Sequence, residues 1–392
     1  MKRFVSEHET PYYVYDTDVM SKKIEWIRKN IKPDVKICYS MKANSFILGT
    51  VKDSVDKIEV CSFGEYQICK KNKIPFEKLI ISGVVKKKEE LEEILTECKE
   101  LPVYTVESEN QFYLINDWAE KKHIKVHVLI RLSAHTQFGI DKETAVKICC
   151  YAKNNHYILL DGIHFFTGTK KRSVDKNVAE LKKLDEEILE IEEKSGFKFK
   201  KLEYGLGMDV PYFTGNENEY YKEKDWDKLN TALEIFERYE ITIEMGRALT
   251  AECGYYFSEV IDTKMSDGVN YAMIEGGMNQ LHYDGQIRGM YIPFIQKIDG
   301  SLKDKIENHN SDKDWNICGS LCTANDIIAA KCRFDDLKPG DVLVFKNVGA
   351  YSAMEGMTLF LSHEIPAVYS YSLASGEKIL RAKKETFILN CE

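Results

Sequence analysis

The chain has 392 residues, of which 44% are hydrophobic and 30% are charged, and its formal net charge is −8. A chain of this length exceeds one ordinary hydrophobic core and is too apolar to be disordered, so we expect a globular protein of two domains. Its basic residues form no stripe, which argues against a nucleic acid partner. The N-terminus lacks a signal-peptide core and no run of about 18 uncharged apolar residues occurs, so we predict a cytoplasmic protein without a membrane segment.

The eleven cysteines are scattered, with one adjacent pair at Cys149 and Cys150. None stands in the C-x-x-C spacing that is typical of zinc sites. We therefore predict reduced, mostly buried cysteines and no metal site.

Eight short apolar runs follow one another along the first two thirds of the chain, and segments with helical periodicity separate them. In chain order they are VKICYS from Val35, KIEVCS from Lys57, KLIISG from Lys78, PVYTV from Pro102, KVHVLIRL from Lys125, LLDGIHFF from Leu159, KLEYGLG from Lys201 and ITIEMG from Ile241. Eight alternating β and α units predict a parallel (β/α)₈ TIM barrel, since an open doubly wound sheet needs fewer strands and an early glycine-rich turn.

After Gly246 the helical alternation stops and aromatic-rich strand patterns begin. They are GYYFSEVIDTK, VNYAMIEGG, DVLVFKNVG, AVYSYSL and KILRAKK, and the early PYYVYD has the same aromatic-rich strand pattern. We predict an α/β barrel over residues 26–250 and an all-β barrel or sandwich domain formed by residues 1–25 and 251–392. Residues 214–225 and 301–315 are polar and are expected to be exposed excursions.

The ends of the predicted barrel strands carry reactive side chains, and in TIM barrels the strand ends build the active site. Lys42 ends the first strand, Glu59 lies in the second and Arg131 in the fifth. The sixth to eighth strands end in HFFTGT, GLG and EMGR. A lysine that can form a Schiff base, glycines beside a phosphate, and Glu244 to hold a ring nitrogen protonated are the parts of a pyridoxal phosphate site.

Each of these residues also has a simpler interpretation. Taken by itself, Lys42 would be interpreted as a surface charge, Glu244 as a structurally paired acid, and the GLG glycines as an ordinary turn. His164 is interpreted as a core histidine with a satisfied hydrogen bond. The joint placement on separate strand ends favours the cofactor site.

The chain resembles the fold type III decarboxylases that use pyridoxal phosphate, the family of the diaminopimelate, ornithine and arginine decarboxylases. Ordered matches cover nearly the whole chain: TPYYVYD, YSMKAN, EVCSFGE, ISGVVKK, TVESENQ, QFGID, GIHFFTGT, LEYGLGMDVPY, IEMGRAL, IEGGMN, GSLCTAND, KPGD and NVGAY. The resemblance implies an alanine-racemase-like barrel, a β domain and a head-to-tail homodimer with shared active sites.

Carried over position by position, the resemblance makes Lys42 the Schiff-base lysine and Glu244 the partner of the pyridine nitrogen. Cys322 becomes the cysteine that one subunit supplies to the other to protonate the carbanion. Other residues would hold pyridoxal 5′-phosphate or lie beside it: Glu59, Arg131, Thr169, Gly205, Gly207, Gly246, Arg247 and Tyr351.

Three departures from the family pattern concern stacking and substrate. Phe166 replaces the histidine that stacks on the cofactor ring, so stacking should persist without a shared proton. His282 and Tyr283 stand where diaminopimelate decarboxylases have an arginine for the distal carboxylate, and Thr323 replaces the usual acid after the cysteine. Each lost charge-assisted contact costs about 1.5–3 kcal/mol, which disfavours free diaminopimelate.

Among the branches of the family, the chain is similar to one from antibiotic and siderophore pathways, in which a butirosin-pathway member decarboxylates a glutamyl group on an acyl carrier protein. We therefore predict a biosynthetic decarboxylase of an amino acid or aminoacyl group whose distal end is masked or tethered. The alternatives are a diaminopimelate or other diamino-acid decarboxylase, an amino-acid racemase, and a non-catalytic cofactor-binding protein.

Overall fold

The computed structural model describes residues 2–215, 221–299 and 313–392. The predicted excursions therefore fall largely outside the described residues, at positions 216–220 and 301–312. The chain divides into two compact units. The barrel unit comprises Lys23–Asp209 and Glu219–Leu249, and the β unit comprises Met1–Lys22, Val210–Asn218 and Thr250–Glu392.

The chain begins with helix α1 (Lys2–Glu7), strand β1 (Tyr12–Asp16) and helix α2 (Thr17–Asn30). Eight strands then close into a parallel barrel, as predicted, and β9 pairs with β2 through Ile37 opposite Ile243. The barrel strands are β2 (Lys36–Ser40), β3 (Lys57–Val60), β4 (Leu79–Ile81), β5 (Val103–Val106), β6 (Val126–Arg131), β7 (Ile158–Phe165), β8 (Lys201–Gly205) and β9 (Glu240–Met245). Nearly every residue of these strands is buried, which is why they read as continuous apolar runs.

Four helices of the barrel unit begin at side-chain caps that the sequence supplies. Ser62, Ser108, Asp141 and Ser173 each accept a hydrogen bond from a backbone N–H of the first helical turn. The helices are α3 (Leu48–Val51), α4 (Phe63–Lys71), α5 (Lys88–Cys98), α6 (Glu109–Lys122), α7 (Lys142–Ala152), α8 (Val174–Ser195), α9 (Glu223–Leu233) and α10 (Arg247–Thr250). Such caps fix where each strand ends and therefore where the side chains at its carboxyl end lie.

The β unit contains a nine-stranded mixed sheet in the order β14-β13-β11-β10-β1-β16-β17, with β15 paired to β10 and to β12. Its later strands are β10 (Gly254–Ser266), β11 (Val269–Ile274), β12 (Ile295–Ile298), β13 (Asp314–Cys318), β14 (Ile327–Arg333), β15 (Val342–Lys346), β16 (Ala367–Ser372) and β17 (Gly376–Arg381). β1 pairs antiparallel with β10 and parallel with β16, so the first strand belongs to this sheet. The sequence patterns missed β12, β13 and β14.

One predicted boundary is wrong. The sequence patterns predict residues 210–215 in the barrel domain, whereas these residues group with the β unit. Thr214 N donates to the Ile292 carbonyl at 2.9 Å, and Asn347 Nδ2 donates to the Pro211 carbonyl at 2.5 Å. These hydrogen bonds attach the segment that follows β8 to the β unit.

In the described ranges, no helix is long and apolar enough to cross a membrane.

Candidate active site

Lys42 lies in a short 3₁₀ turn, Met41–Ala43, directly after barrel strand β2. The turn is held by Tyr39, whose hydroxyl donates to the Asn44 carbonyl at 2.6 Å. Met41 and Ala43 are fully buried, whereas 38% of the Lys42 side chain is exposed. The backbone of Lys42 is thus fixed by its buried neighbours, while its side chain is only partly buried.

The Lys42 amine contacts two buried carboxylates. Nζ forms an ion pair and hydrogen bond with Glu59, and it lies 3.3 Å from Glu244 Oε1 and 3.6 Å from Cys61 Sγ. Burial by itself would lower the pKa of Lys42, but the charges of Glu59 and Glu244 outweigh it and hold that pKa well above the ordinary value. The amine is therefore held as a cation between two acids.

Glu244, which ends β9, accepts hydrogen bonds at both oxygens. Ser40 Oγ donates to Oε1 at 2.5 Å, and His164 Nε2 lies 3.0 Å from Oε2. Burial acts to raise the pKa of Glu244, but Lys42 and His164 reverse this and hold the pKa well below the ordinary value. Glu244 is consequently an anion whose position is fixed by Ser40, Lys42 and His164.

Three predicted glycines lie where a side chain has no space. A Cβ on Gly207, which has φ +63°, would come within 2.1 Å of the Gly168 carbonyl oxygen. A Cβ on Gly246 would approach Ala43 Cβ at 2.9 Å, and one on Gly205 would approach the Phe166 ring at 2.4 Å. The backbone at these strand ends is thus packed closely and left bare of side chains.

Phe166, Thr169 and Arg247 complete this side of the barrel. The half-buried Phe166 ring lies against Gly205, so glycine is required there to leave room for it. Arg247 Nε donates to Thr169 Oγ1 at 3.3 Å, and Arg247 is buried while Thr169 is exposed. The predicted phosphate residues of β7, β8 and β9 are thus brought together.

Arg131, at the end of β6, forms an ion pair with Glu107 at 3.0 Å, and its guanidinium lies 4.7 Å from the centre of the Phe138 ring. Both partners lie in segments that match the family pattern, TVESENQ and QFGID, although neither residue was named as a site residue from the sequence. The pair fixes Arg131 at the strand-end face of the barrel.

The predicted residues of the β unit lie on loops. Cys322 is exposed, and the backbone of its loop is anchored by the buried Asp326. Asp326 Oδ2 accepts from Leu321 N at 2.9 Å, and Oδ1 accepts from Met278 N at 2.8 Å. One carboxylate therefore joins the loop that carries Cys322 and Thr323 to the loop that leads to His282.

The remaining β-unit residues differ in accessibility. His282 Nε2 lies 3.4 Å from Glu355 Oε2 and is partly exposed. Tyr283 is 2% exposed, its hydroxyl donates to the Lys346 carbonyl at 2.7 Å, and its ring packs against Tyr212. Tyr283 thus has a packing role here, which leaves His282 as the accessible residue of that pair.

Tyr351 adopts a backbone φ of +67°, which is unusual for a residue other than glycine, and its carbonyl accepts from Met354 N at 2.8 Å. This fixes the turn that carries the tyrosine ring.

Sequence reasoning missed three polar residues around Lys42 and Glu244. They are Ser40, Cys61 and Glu203. The available signal was a two-residue spacing: Ser40 stands two residues before Lys42, Cys61 two after Glu59, and Glu203 two before Gly205. Within β8 this spacing places Glu203 and Gly205 on the same strand face.

Comparison with known proteins identifies the class of site. Residues 17–251 match the family model described as pyridoxal-dependent decarboxylase, pyridoxal binding domain. The chain is 28% identical to a 2-[(L-alanin-3-ylcarbamoyl)methyl]-2-hydroxybutanedioate decarboxylase of Staphylococcus aureus, over 92% of this chain and 93% of that protein. It is 26% identical to the L-glutamyl-[BtrI acyl-carrier protein] decarboxylase of Niallia circulans, over 93% and 88% of the two chains.

A solved structure shows the same fold. Diaminopimelate decarboxylase from Helicobacter pylori, complexed with L-lysine, superposes with a TM-score of 0.83 at 22% identity, covering 99% of this chain and 98% of that chain.

Proposed function

Because the chain belongs to the family of pyridoxal-dependent decarboxylases, we propose that it removes the α-carboxylate of an amino acid or aminoacyl group whose distal end is masked or tethered. The observation that carries the proposal is the Lys42 amine, held at the end of a barrel strand between Glu59 and the hydrogen-bonded anion Glu244.

The residues present fit pyridoxal phosphate. Lys42 supplies an amine for the cofactor's carbonyl, and the anion Glu244 suits a protonated ring nitrogen. Gly205, Gly207 and Gly246 allow the strand ends to pack closely against Phe166, Gly168 and Ala43, so that glycine-rich backbone lies at the end of the barrel where the phosphate would bind.

The barrel residues then have separate tasks. When bound, pyridoxal phosphate withdraws electrons from the substrate's α-carbon as carbon dioxide leaves. Glu244 holds the ring nitrogen's proton, and Ser40 and His164 keep Glu244 ionised and oriented. Arg247 and Thr169 would hold the phosphate, and the Phe166 ring would pack against the cofactor ring.

The β-unit residues deal with the substrate. In the proposed homodimer, Cys322 of one subunit delivers a proton to the substrate carbon at the active site of the other. Thr323, which follows it, has no charge for a distal ammonium, and the exposed loop leaves room for a bulky acyl group.

Two relatives support a masked distal end. One is named for an amide-linked hydroxybutanedioate conjugate and the other for a glutamyl group on a carrier protein. The second candidate is decarboxylation of free diaminopimelate, which is favoured by a Methanocaldococcus jannaschii diaminopimelate decarboxylase that is 26% identical over 81% of this chain.

The deciding experiment is a substrate panel followed by carbon dioxide release. It comprises free ornithine, lysine, diaminopimelate and glutamate, a glutamyl-loaded carrier protein, and the amide conjugate named for the Staphylococcus aureus relative. We expect turnover of a masked or tethered substrate and little of the free diamino acids. Rapid turnover of free diaminopimelate would establish the second candidate instead.

A further inference from the structure

The barrel interior contains a carboxylic group that the proposed function leaves without a task. Glu203, in the middle of β8, is 2% exposed. Neither of its oxygens makes a hydrogen bond of ordinary geometry within residues 2–215, 221–299 and 313–392. His164, which is paired with Glu203 across strands β7 and β8, likewise has no hydrogen-bond partner at Nδ1 within these residues.

Glu203 belongs to a crowded cluster of titratable groups. The groups that face it come from the strands packed around it: Cys38 and Lys42 at β2, Glu59 on β3, His164 on β7 and Glu244 on β9. Lys42 pairs with Glu59 and Glu244, and no cation in the described structure pairs with Glu203. Burying an unpaired carboxylate as an anion costs far more than burying it as a neutral acid.

The atoms without partners, two on Glu203 and one on His164, are chemically complementary. His164 Nε2 lies 3.0 Å from the anion Glu244, so the ring donates its proton there and Nδ1 is left as an acceptor. A neutral Glu203 has one O–H to donate. One ligand atom each from His164, Glu203 and Glu244 lie within 4.8 Å of one another.

We propose that Glu203 is held as a neutral acid and that Glu203 and His164 together are positioning residues that keep Glu244 ionised toward the cofactor's ring nitrogen. Only the identity of that ring nitrogen rests on the proposed function. The neutral acid and its coupling to His164 are properties of the barrel itself.

The titration tendencies of the cluster agree with this arrangement. Burial, followed by the charges of Glu244 and Glu59, holds the pKa of Glu203 well above its ordinary value, and the Cys38 thiol and Lys42 only partly oppose this. The pKa of Glu244 is displaced in the opposite direction. When the pKa values of two neighbouring carboxyl groups are displaced in opposite directions, one group stays protonated and the other is ionised.

A matched control exists in the same unit. Glu192 on α8 is 3% exposed, but it accepts from Lys198 Nζ at 2.7 Å, Phe199 N at 3.0 Å and Tyr239 Oη at 3.1 Å. Glu192→Gln therefore tests loss of a fully partnered buried carboxylate, and Glu203→Gln tests loss of one without partners.

The first measurement is infrared difference spectroscopy of the cofactor-loaded enzyme at neutral pH. We expect a protonated-carboxyl C=O band that shifts in heavy water, disappears in Glu203→Gln and persists in Glu192→Gln. A band that survives Glu203→Gln, or no such band in the parent enzyme, would overturn the proposal.

The second measurement is thermal stability against pH. Between about 4.3, where an unfolded glutamate titrates, and the higher pKa of folded Glu203, the folded state keeps a proton that the unfolded chain releases. Parent stability thus falls as pH rises through this window, and the Tm of Glu203→Gln minus that of the parent should increase from pH 5 upward. A difference that is flat or falling would contradict a neutral Glu203.

The third measurement concerns His164 and uses the bound cofactor's visible absorption during a pH titration. His164→Phe removes a hydrogen bond to an anion and should move the midpoint by about one pH unit. Glu203→Gln should stay close to the parent, because the glutamine amide N–H can still donate to His164 Nδ1 as the neutral acid does. His127→Phe, on β6 and bonded to Asp161 at 2.8 Å, is the control. An unmoved midpoint in His164→Phe would refute the coupling.

Two further outcomes are decisive. Binding of one equivalent of a divalent metal that is lost in Glu203→Gln would make the cluster a metal site and overturn the proposal. Failure of the whole substrate panel with an intact infrared band would count against the proposed function and leave the neutral acid standing.

Discussion

The barrel unit and the β unit prepare their functional residues by different physical means. In the barrel, Glu59, Glu203 and Glu244 are 2%, 2% and 7% exposed, and their charges are set by burial and by one another. In the β unit, Cys322 is exposed, and its position is fixed by backbone hydrogen bonds to the buried Asp326. The barrel thus controls ionisation and the β unit controls loop position.

This difference separates the barrel groups that set charge from the loop residues that are proposed to select the substrate. A change inside the barrel alters the charge of every neighbouring group, because low polarity strengthens their interaction. A change of a partly buried loop residue such as Thr323 leaves the anchoring carboxylate of Asp326 in place. Under the proposed function, substrate preference can therefore vary while the cofactor site stays constant.

The largest expected effect lies in the barrel. Lys42→Ala should abolish both the visible absorption of the bound cofactor and carbon dioxide release, because no other amine lies between Glu59 and Glu244 in the described ranges. Lys36→Ala is the control, since Lys36 starts the same strand, is also 38% exposed and pairs with Glu240. If Lys42→Ala keeps both signals, Lys42 is not the anchor.

The next effect tests loop anchoring in the β unit. Asp326→Ala leaves Met278 N and Leu321 N without their acceptor and should lower the unfolding free energy by about 2–4 kcal/mol. Chemical denaturation followed by fluorescence of Trp315, which lies in this unit, measures the loss. Turnover should fall while cofactor absorption is unchanged.

Asp314→Ala is the control for this anchoring, because Asp314 is exposed on the same unit. A disturbed cofactor spectrum in Asp326→Ala, with normal stability, would break the division between the two units.

A smaller effect tests the charge at the substrate end. Thr323→Glu should raise kcat/KM for free ornithine or lysine relative to the masked substrate by about 10- to 100-fold, since one charge-assisted hydrogen bond is worth about 1.5–3 kcal/mol. Thr323→Gln has similar size without charge and should give no such change. Equal gains in the two variants would show that charge at position 323 does not select the substrate.

The smallest effect is a pH dependence at the edge of the barrel. Burial lowers the pKa of Lys86 to about 8, although its amine donates to the Gly83 carbonyl at 2.7 Å. Between pH 8 and about 10.4, the unfolded chain binds a proton that the folded state has lost, so stability rises with pH in this window.

Lys86→Met should remove that rise, and Lys87→Met, at a side chain that is 67% exposed, should retain it. Thermal melts at pH 8, 9 and 10 provide the measurement. Parallel curves of Tm against pH for the parent and Lys86→Met would show that burial does not govern the pKa of this amine.

The sequence by itself determined the barrel and its principal residues. Each barrel strand is a short apolar run between helical patterns, and that signal is local, so all eight strands were placed. Lys42, Glu59 and Glu244 stand at or near strand ends, where barrels build their sites, and the structure brings these three together.

Only the tertiary structure decided which groups are partners. The Ser40 and Glu244 side chains are 204 residues apart in sequence, and His164 and Glu244 are 80 apart. Barrel register brings them together, as it sets Glu203 beside His164, and no local pattern encodes that register. The same reason explains why the sequence did not reveal the anchoring role of Asp326, the packing role of Tyr283 or the hydrogen bond from Asn347 to Pro211. Burial and long-range hydrogen bonds are properties of the closed fold.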